Sequence, residues 1–270
     1  MSQHVIVGAG AVGSAAATLL AERGERVRVV TRSGGGPAHP GVERVAADAA
    51  DADRLTELTQ GALALYNCAN PQYDRWLTDW PPLHAALLGA AQRTGATLVT
   101  MSNLYVYGPV DGPMTEDTPM AARHPKLKLR ADFWREALAL HRAGRIRTAE
   151  VRASDYIEAQ GLLGYGMGRP LLAGRRAYIP APQDVPHTWT STADAAALLV
   201  TVATDERAAG RVWHVPSNPP LTIRQLAERF TEATGSPRAR LSTIPYPAMW
   251  TLGLFSPMVR ELRTTRYQFT

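Results

Sequence analysis

The stretch His4-Val5-Ile6-Val7-Gly8-Ala9-Gly10-Ala11-Val12-Gly13 decides the fold. Its first four residues read as a short buried strand, and the glycines that follow obey the pattern GxGxxG as the chain enters a helix over Ala11 to Arg23. In that context each glycine has a task. Gly8 permits a tight turn, Gly10 lets the backbone approach a diphosphate, and Gly13 lets the helix pack on the strand. The free amides at the start of the helix, at Ala11, Val12 and Gly13, attract negative charge.

Outward from this stretch, short apolar runs alternate with longer helical patterns. Strands are expected over Arg26 to Thr31, Val42 to Ala47, Ala62 to Asn67, Thr97 to Met101 and Arg145 to Arg152. Helices are expected over Asp53 to Thr59, Pro82 to Thr94 and about Lys126 to Ala143, with Gly24, Gly95 and Gly144 as helix stops. This rhythm specifies an α/β protein: a Rossmann, doubly wound parallel sheet with helices on both faces. Beyond Arg152 the pattern loosens into Gly- and Pro-rich sequence, then helix Thr192 to Thr204, strand Arg211 to Val215 and helix Thr222 to Thr234. The reading is a dinucleotide-binding domain over 1–152 and a smaller substrate-side lobe over 153–270, partly interwoven with it.

The end of the second strand selects the dinucleotide. An acidic side chain there accepts hydrogen bonds from the ribose hydroxyls of NAD, whereas this chain reads Val30-Thr31-Arg32-Ser33. Arg32 suits a 2'-phosphate, and Thr31 and Ser33 are donors to phosphate oxygens, so NADP(H) is expected over NAD(H).

Bulk properties exclude several classes. The 270 residues are 45% apolar and 20% charged, without low-complexity tracts or repeats. The net charge of +5 is dispersed, with no polybasic run, so nucleic acid is not an expected partner. The uncharged stretch from Pro247 to Val259 is shorter than a bilayer requires, and the N-terminus lacks the zones of a signal peptide, so a cytoplasmic protein without membrane attachment is expected. Cys68 is the single cysteine, which excludes an intrachain disulfide and a cysteine-based metal cluster. Only two of the 29 basic residues are lysines, Lys126 and Lys128.

The residues resemble the extended and atypical short-chain dehydrogenase/reductases, the NAD-dependent epimerase/dehydratase group, over nearly the whole chain. Val99-Thr100-Met101-Ser102-Asn103-Leu104-Tyr105-Val106-Tyr107-Gly108-Pro109 is similar to that family's Ser-Ser-x-x-Val-Tyr-Gly segment, and Arg152-Ala153-Ser154-Asp155-Tyr156 falls where the family crosses into its substrate lobe. The resemblance implies that Asp48 lies beside adenine and that Cys68, Ala69 and Asn70 line the nicotinamide ribose. By analogy it also implies a homodimer and a small-molecule substrate.

The catalytic set departs from the family's. Four residues before Tyr107 stands Asn103 instead of a hydroxyl, with Ser102 adjacent. The tyrosine of YxxxK is missing: counting back four from Lys128 gives His124, and from Lys126 gives Ala122. Lys128 is the preferred lysine, having Asp132 four residues on, and helix geometry lets only one of the two face the cleft. The candidate acids are His124, one of the lysines, and Tyr105 or Tyr107. Tyr73, Trp76 and Trp189 are candidate pocket walls or core residues. The leading expectation is an NADP(H)-dependent reductase acting on a small organic metabolite. The alternatives are a sugar-nucleotide epimerase/dehydratase and a non-catalytic NADP(H) sensor. At His187 the chain lacks the arginine that such epimerases carry for a diphosphate.

Overall fold

In the computed structural model, which describes residues 2–158, 161–255 and 267, the opening apolar run is strand β1 (Gln3–Val7) and the glycine pattern leads into helix α1 (Ala11–Glu22). The alternation continues through β2 (Arg26–Thr31), β3 (Val42–Ala46), α2 (Ala52–Thr59), β4 (Ala62–Asn67), α3 (Trp76–Thr94), β5 (Thr97–Asn103), α4 (Pro125–Arg142) and β6 (Thr148–Ala153). Then come β7 (Asp155–Tyr156), α5 (Gly168–Leu172), β8 (Ala177–Ile179), β9 (Trp189–Thr190), α6 (Thr192–Thr204), β10 (Val212–His214), α7 (Ile223–Ala233), β11 (Leu241–Thr243) and α8 (Tyr246–Phe255).

Seven strands form one parallel sheet in the order β10-β6-β5-β4-β1-β2-β3. The chain builds outward from β1 to β3 on one side and from β4 to β10 on the other. The winding therefore reverses between β1 and β4, which is where open α/β sheets bind ligands. Val5, Ile6 and Val7 are buried, as expected of a central strand covered on both faces.

The chain divides into two units, 1–153 with 192–215, and 154–191 with 216–270. The sequence expectation gave 153–270 to a smaller lobe partly interwoven with the first domain. The elements that return to the first unit are α6, which packs on α1 and the sheet, and β10, which adds a strand beyond β6. The reason is burial: Ala195, Ala196, Leu199 and Val200 are covered on that sheet face. The second unit has its own core, built around Met167, Leu171, Ile179, Trp189, Ile223 and Leu226.

Three boundaries differ by two residues or more from the sequence reading. Helix α3 starts at Trp76 rather than Pro82, running through Pro81 and Pro82. Two prolines remove two backbone donors, but Trp76 and Trp80 are almost fully buried by that extra turn. Strand β5 extends to Asn103, and β6 starts only at Thr148. Gly144 ends α4 with φ 69°, and the Arg145 N–H closes onto the Leu140 carbonyl at 2.9 Å, so Arg145 belongs to the helix stop.

Candidate active site

The glycine loop occupies the point where the winding reverses. Gly8 has φ 98°, and its N–H donates to the Val30 carbonyl at 3.0 Å. The Cys68 N–H donates to the Val7 carbonyl at 2.8 Å, which brings the segment after β4 against the glycines. A Cβ at Gly8 would lie 2.6 Å from the Ala69 nitrogen, and one at Gly13 would overlap the Gly8 carbonyl oxygen. Both positions exclude any side chain. Gly10 is the N-cap of α1 and offers no side-chain cap, so the first amides of the helix keep their donors for an anion. Burial pushes the Cys68 thiol up to about 12, so it stays protonated.

At the end of β2, Arg32 and Ser33 are exposed, and Arg32 has no ion pair among the described residues. The Thr31 hydroxyl is committed differently from the sequence expectation: it donates to the Gly35 carbonyl at 3.1 Å and closes the turn. Asp48 follows β3, exposed, and its Oδ1 accepts from the Ala50 N–H at 3.0 Å. Asn70 is exposed and Ala69 half-buried after β4. All the sequence-derived dinucleotide positions thus lie at the C-terminal ends of adjacent parallel strands.

The catalytic candidates separate more sharply. Because β5 continues through Asn103, Ser102 and Asn103 point to opposite faces. Ser102 is buried beside the Glu150 carboxyl, without a well-aligned hydrogen bond among the described residues. Asn103 is half-buried, and its Oδ1 accepts the Tyr105 N–H at 3.2 Å, capping the 3-10 turn Leu104–Tyr107. Tyr105 is half-buried against the core, while Tyr107 is fully buried.

The two lysines lie in different environments from those expected of them. Lys128 is exposed, with its Nζ 2.5 Å from Asp132 Oδ2, so its i,i+4 partner holds it on the solvent face of α4. Lys126 is buried; its Nζ donates to the Tyr73 carbonyl at 2.8 Å and lies 5.3 Å from the Tyr73 ring centroid. This places Lys126 against the segment that follows β4. His124 is the exposed N-cap of α4, ahead of Pro125. Of the aromatic candidates, Trp76 and Trp189 are core residues of the first and second unit respectively, and Tyr73 packs on Trp76 with ring centroids 4.4 Å apart.

Sequence reasoning missed a polar row under α3 and α4. Glu150 and Arg152 are both almost fully buried on β6, with Arg152 Nε 2.7 Å from Glu150 Oε1. Burial raises the Glu150 carboxyl, against the pull of Arg152 and Arg130. Arg152 also stacks on Tyr107 at 4.9 Å, and the Tyr107 hydroxyl meets His214 Nε2 at 2.6 Å. Arg130, buried four residues after Lys126, donates to the Met101 carbonyl at 2.9 Å and lies over Trp80. Two signals were present: the i,i+4 spacing of Lys126 and Arg130, and the alternation of Glu150 and Arg152 along a strand. In the second unit, His187 Nε2 lies 2.9 Å from Asp155 Oδ2, and the backbone of His187 is bridged to Leu221.

A glycine turn at the reversal of a seven-stranded parallel sheet, with a lysine-bearing helix after β5, defines a short-chain dehydrogenase/reductase fold. The chain belongs to the NAD-dependent epimerase/dehydratase family, whose sequence pattern matches residues 4–155. Among solved structures, it is similar to a dTDP-glucose 4,6-dehydratase from Bacillus anthracis in complex with NAD, at 18% identity and TM-score 0.79, covering 91% of this chain and 85% of that one. A UDP-glucose 4-epimerase from Thermotoga maritima with UDP-glucose matches at 14% identity and TM-score 0.78, covering 90% and 86%. A short-chain dehydrogenase/reductase superfamily protein from Agrobacterium tumefaciens with bound NAD matches at 20% identity and TM-score 0.71, covering 90% and 85%. No curated protein sequence matches the chain.

Proposed function

We propose that the protein is a nicotinamide-dinucleotide-dependent enzyme that performs redox chemistry of the epimerase/dehydratase kind on a sugar nucleotide. The observation that carries the cofactor half is the cradle at Gly8 and Gly13, which a Cβ at either position would fill. The amides of Ala11, Val12 and Gly13 would hold the diphosphate, Arg32 and Ser33 the adenosine end, and Lys126 the ribose hydroxyls near the nicotinamide. Such a cofactor supplies reversible hydride transfer. The sugar-nucleotide half is supported by family membership and by the substrates named for the similar dehydratase and epimerase structures.

Within this reading Arg32 favours NADP(H), even though the dinucleotide bound in two of the similar structures is NAD. Its guanidinium is exposed at the end of β2, and no carboxylate takes its place among the described residues. Titration by tryptophan fluorescence with NADH and NADPH tests this. Arg32→Ala is expected to weaken NADPH by about 1.5–3 kcal/mol, more than tenfold, and to leave NADH nearly unchanged. Equal affinities for the two in the wild type would overturn the NADP(H) preference.

A second reading, an NADPH-dependent reductase of a small metabolite, is favoured by one specific observation. His187 stands where a diphosphate-binding arginine is expected, and it is paired with Asp155. Binding of UDP- and dTDP-sugars, set beside NADPH consumption with carbonyl and enone panels, separates the two. Nucleotide-sugar binding supports the first reading. Turnover of a plain carbonyl without it supports the second, and neither one leaves a cofactor-binding sensor.

A further inference from the structure

In the second unit β8 and β11 form a two-stranded parallel sheet whose Ala177, Ile179 and Leu241 face that unit's core. Alternation places Arg176 and Tyr178 on the outer face of β8, and Arg240 and Ser242 on the outer face beside them. Arg176 Nη1 donates to Ser242 Oγ at 2.7 Å across the strands, and Tyr178 is 64% exposed. The chain leading into each strand adds an arginine, Arg175 before β8 and Arg238 before β11. The N-terminal ends of the two strands are fixed together: the Ala177 N–H donates to the Arg240 carbonyl at 2.9 Å, and Pro237 packs against Gly174.

All four arginines are exposed, and among the described residues none of them has a carboxylate within ion-pair distance. Among the described residues, the second unit's segments hold seven arginines against five carboxylates. The fold gathers four of those arginines onto this face from segments some sixty residues apart.

We propose that this outer face docks an acidic segment of a partner protein. A guanidinium binds a carboxylate through two parallel N–H bonds, and this unit already makes one such fork: Arg224 Nε and Nη2 reach the two oxygens of Asp184 at 2.7 and 2.9 Å. Tyr178 adds an exposed aromatic amid the arginines, and Tyr and Arg are both enriched among the residues that carry interface energy. The patch is only two strands wide, about 5 Å between neighbours. It suits a few carboxylates on a helix or loop better than a long phosphate track.

The test uses the full chain and a fluorescein-labelled helical peptide of Glu, Leu and Tyr, with a single-stranded DNA of equal charge as comparison, at physiological ionic strength. The peptide is expected to bind at least about tenfold more tightly than the DNA, and to lose about tenfold or more in Arg176→Glu/Arg238→Glu/Arg240→Glu. Arg176→Gln/Arg238→Gln/Arg240→Gln should show the same direction of loss with an unchanged thermal midpoint, which keeps the test valid if charge reversal harms folding. Undiminished peptide binding in the glutamine variant, no peptide binding by the wild type, or tighter DNA binding through the same arginines would each overturn the proposal.

Discussion

Lys126 and Lys128 stand two positions apart on one helix, and that spacing fixes their different environments. About 200° of helical rotation separates them, so burying one exposes the other. Lys126 takes the inward position and spends its ammonium on the Tyr73 carbonyl and ring. Lys128 spends its own on Asp132 in solvent. Lys126→Met is therefore expected to lower dinucleotide affinity or turnover about tenfold or more, in keeping with the loss of a charge-assisted hydrogen bond, while Lys128→Met stays within about twofold of wild type. Calorimetric cofactor titration of both variants checks this, and the opposite ranking would remove Lys126 from the site. The sequence alone identified the pair and preferred Lys128, whereas the structure buries Lys126 and leaves Lys128 in solvent. The KxxxD spacing that drew attention to Lys128 stabilises an exposed helix face, whereas the partner of Lys126 is a backbone carbonyl, which leaves no mark in the side-chain pattern.

Elements whose formation depends on local chemistry were legible, and those that depend on tertiary burial were not. The β1–turn–α1 unit could be read because φ 98° at Gly8 and the tight approach at Gly13 admit only glycine. The six-residue early start of α3 could not, since two prolines argue against helix and only burial of Trp76 and Trp80 outweighs them. The end of β5 is intermediate. Asn103 stands where the resembled family carries a hydroxyl of its catalytic set, and its side chain caps the turn that follows. Asn103→Ala is expected to cost about 0.5–2 kcal/mol, the usual loss for such a cap, and Asn103→Asp to restore stability by keeping the acceptor. Denaturant unfolding measures the first role. A turnover that stays low in Asn103→Asp despite recovered stability would identify a second role toward substrate, because only the amide donates a hydrogen bond at neutral pH.

At the scale of the molecule, the sheet of the first unit is held over a polar layer that a simple apolar pattern would not place there. Asn67, Thr100 and Glu150 face His84 and Arg130 from α3 and α4 across a small cavity. Within it Asn67 Oδ1 and His84 Nε2 lack hydrogen-bond partners among the described residues, although His84 Nε2 comes within 3.2 Å of the exposed Glu136 carboxylate. His84 stacks on Phe133 with ring centroids 4.0 Å apart. Burial, helped by the charge of Arg130, pulls its pKa from 6.5 down to about 4. The folded state thus holds the ring neutral while the unfolded chain protonates it below about pH 6.5. The sign follows: this contribution to stability is fully present above pH 6.5 and is lost as pH falls toward 4. Its size is roughly 3 kcal/mol, one pKa unit being worth about 1.4. His4 and His214 are also lowered by burial and push the same way, while Glu150, raised by burial, opposes them. The wild type alone therefore cannot assign the effect. His84→Gln isolates it, because glutamine does not titrate. Unfolding free energies measured between about pH 7.5 and pH 4 are expected to fall more steeply for the wild type than for His84→Gln, with the gap closing by roughly 3 kcal/mol at the acid end. Parallel pH profiles for the two proteins would mean that His84 accepts a proton in the folded state, with Glu136 as its counter-ion.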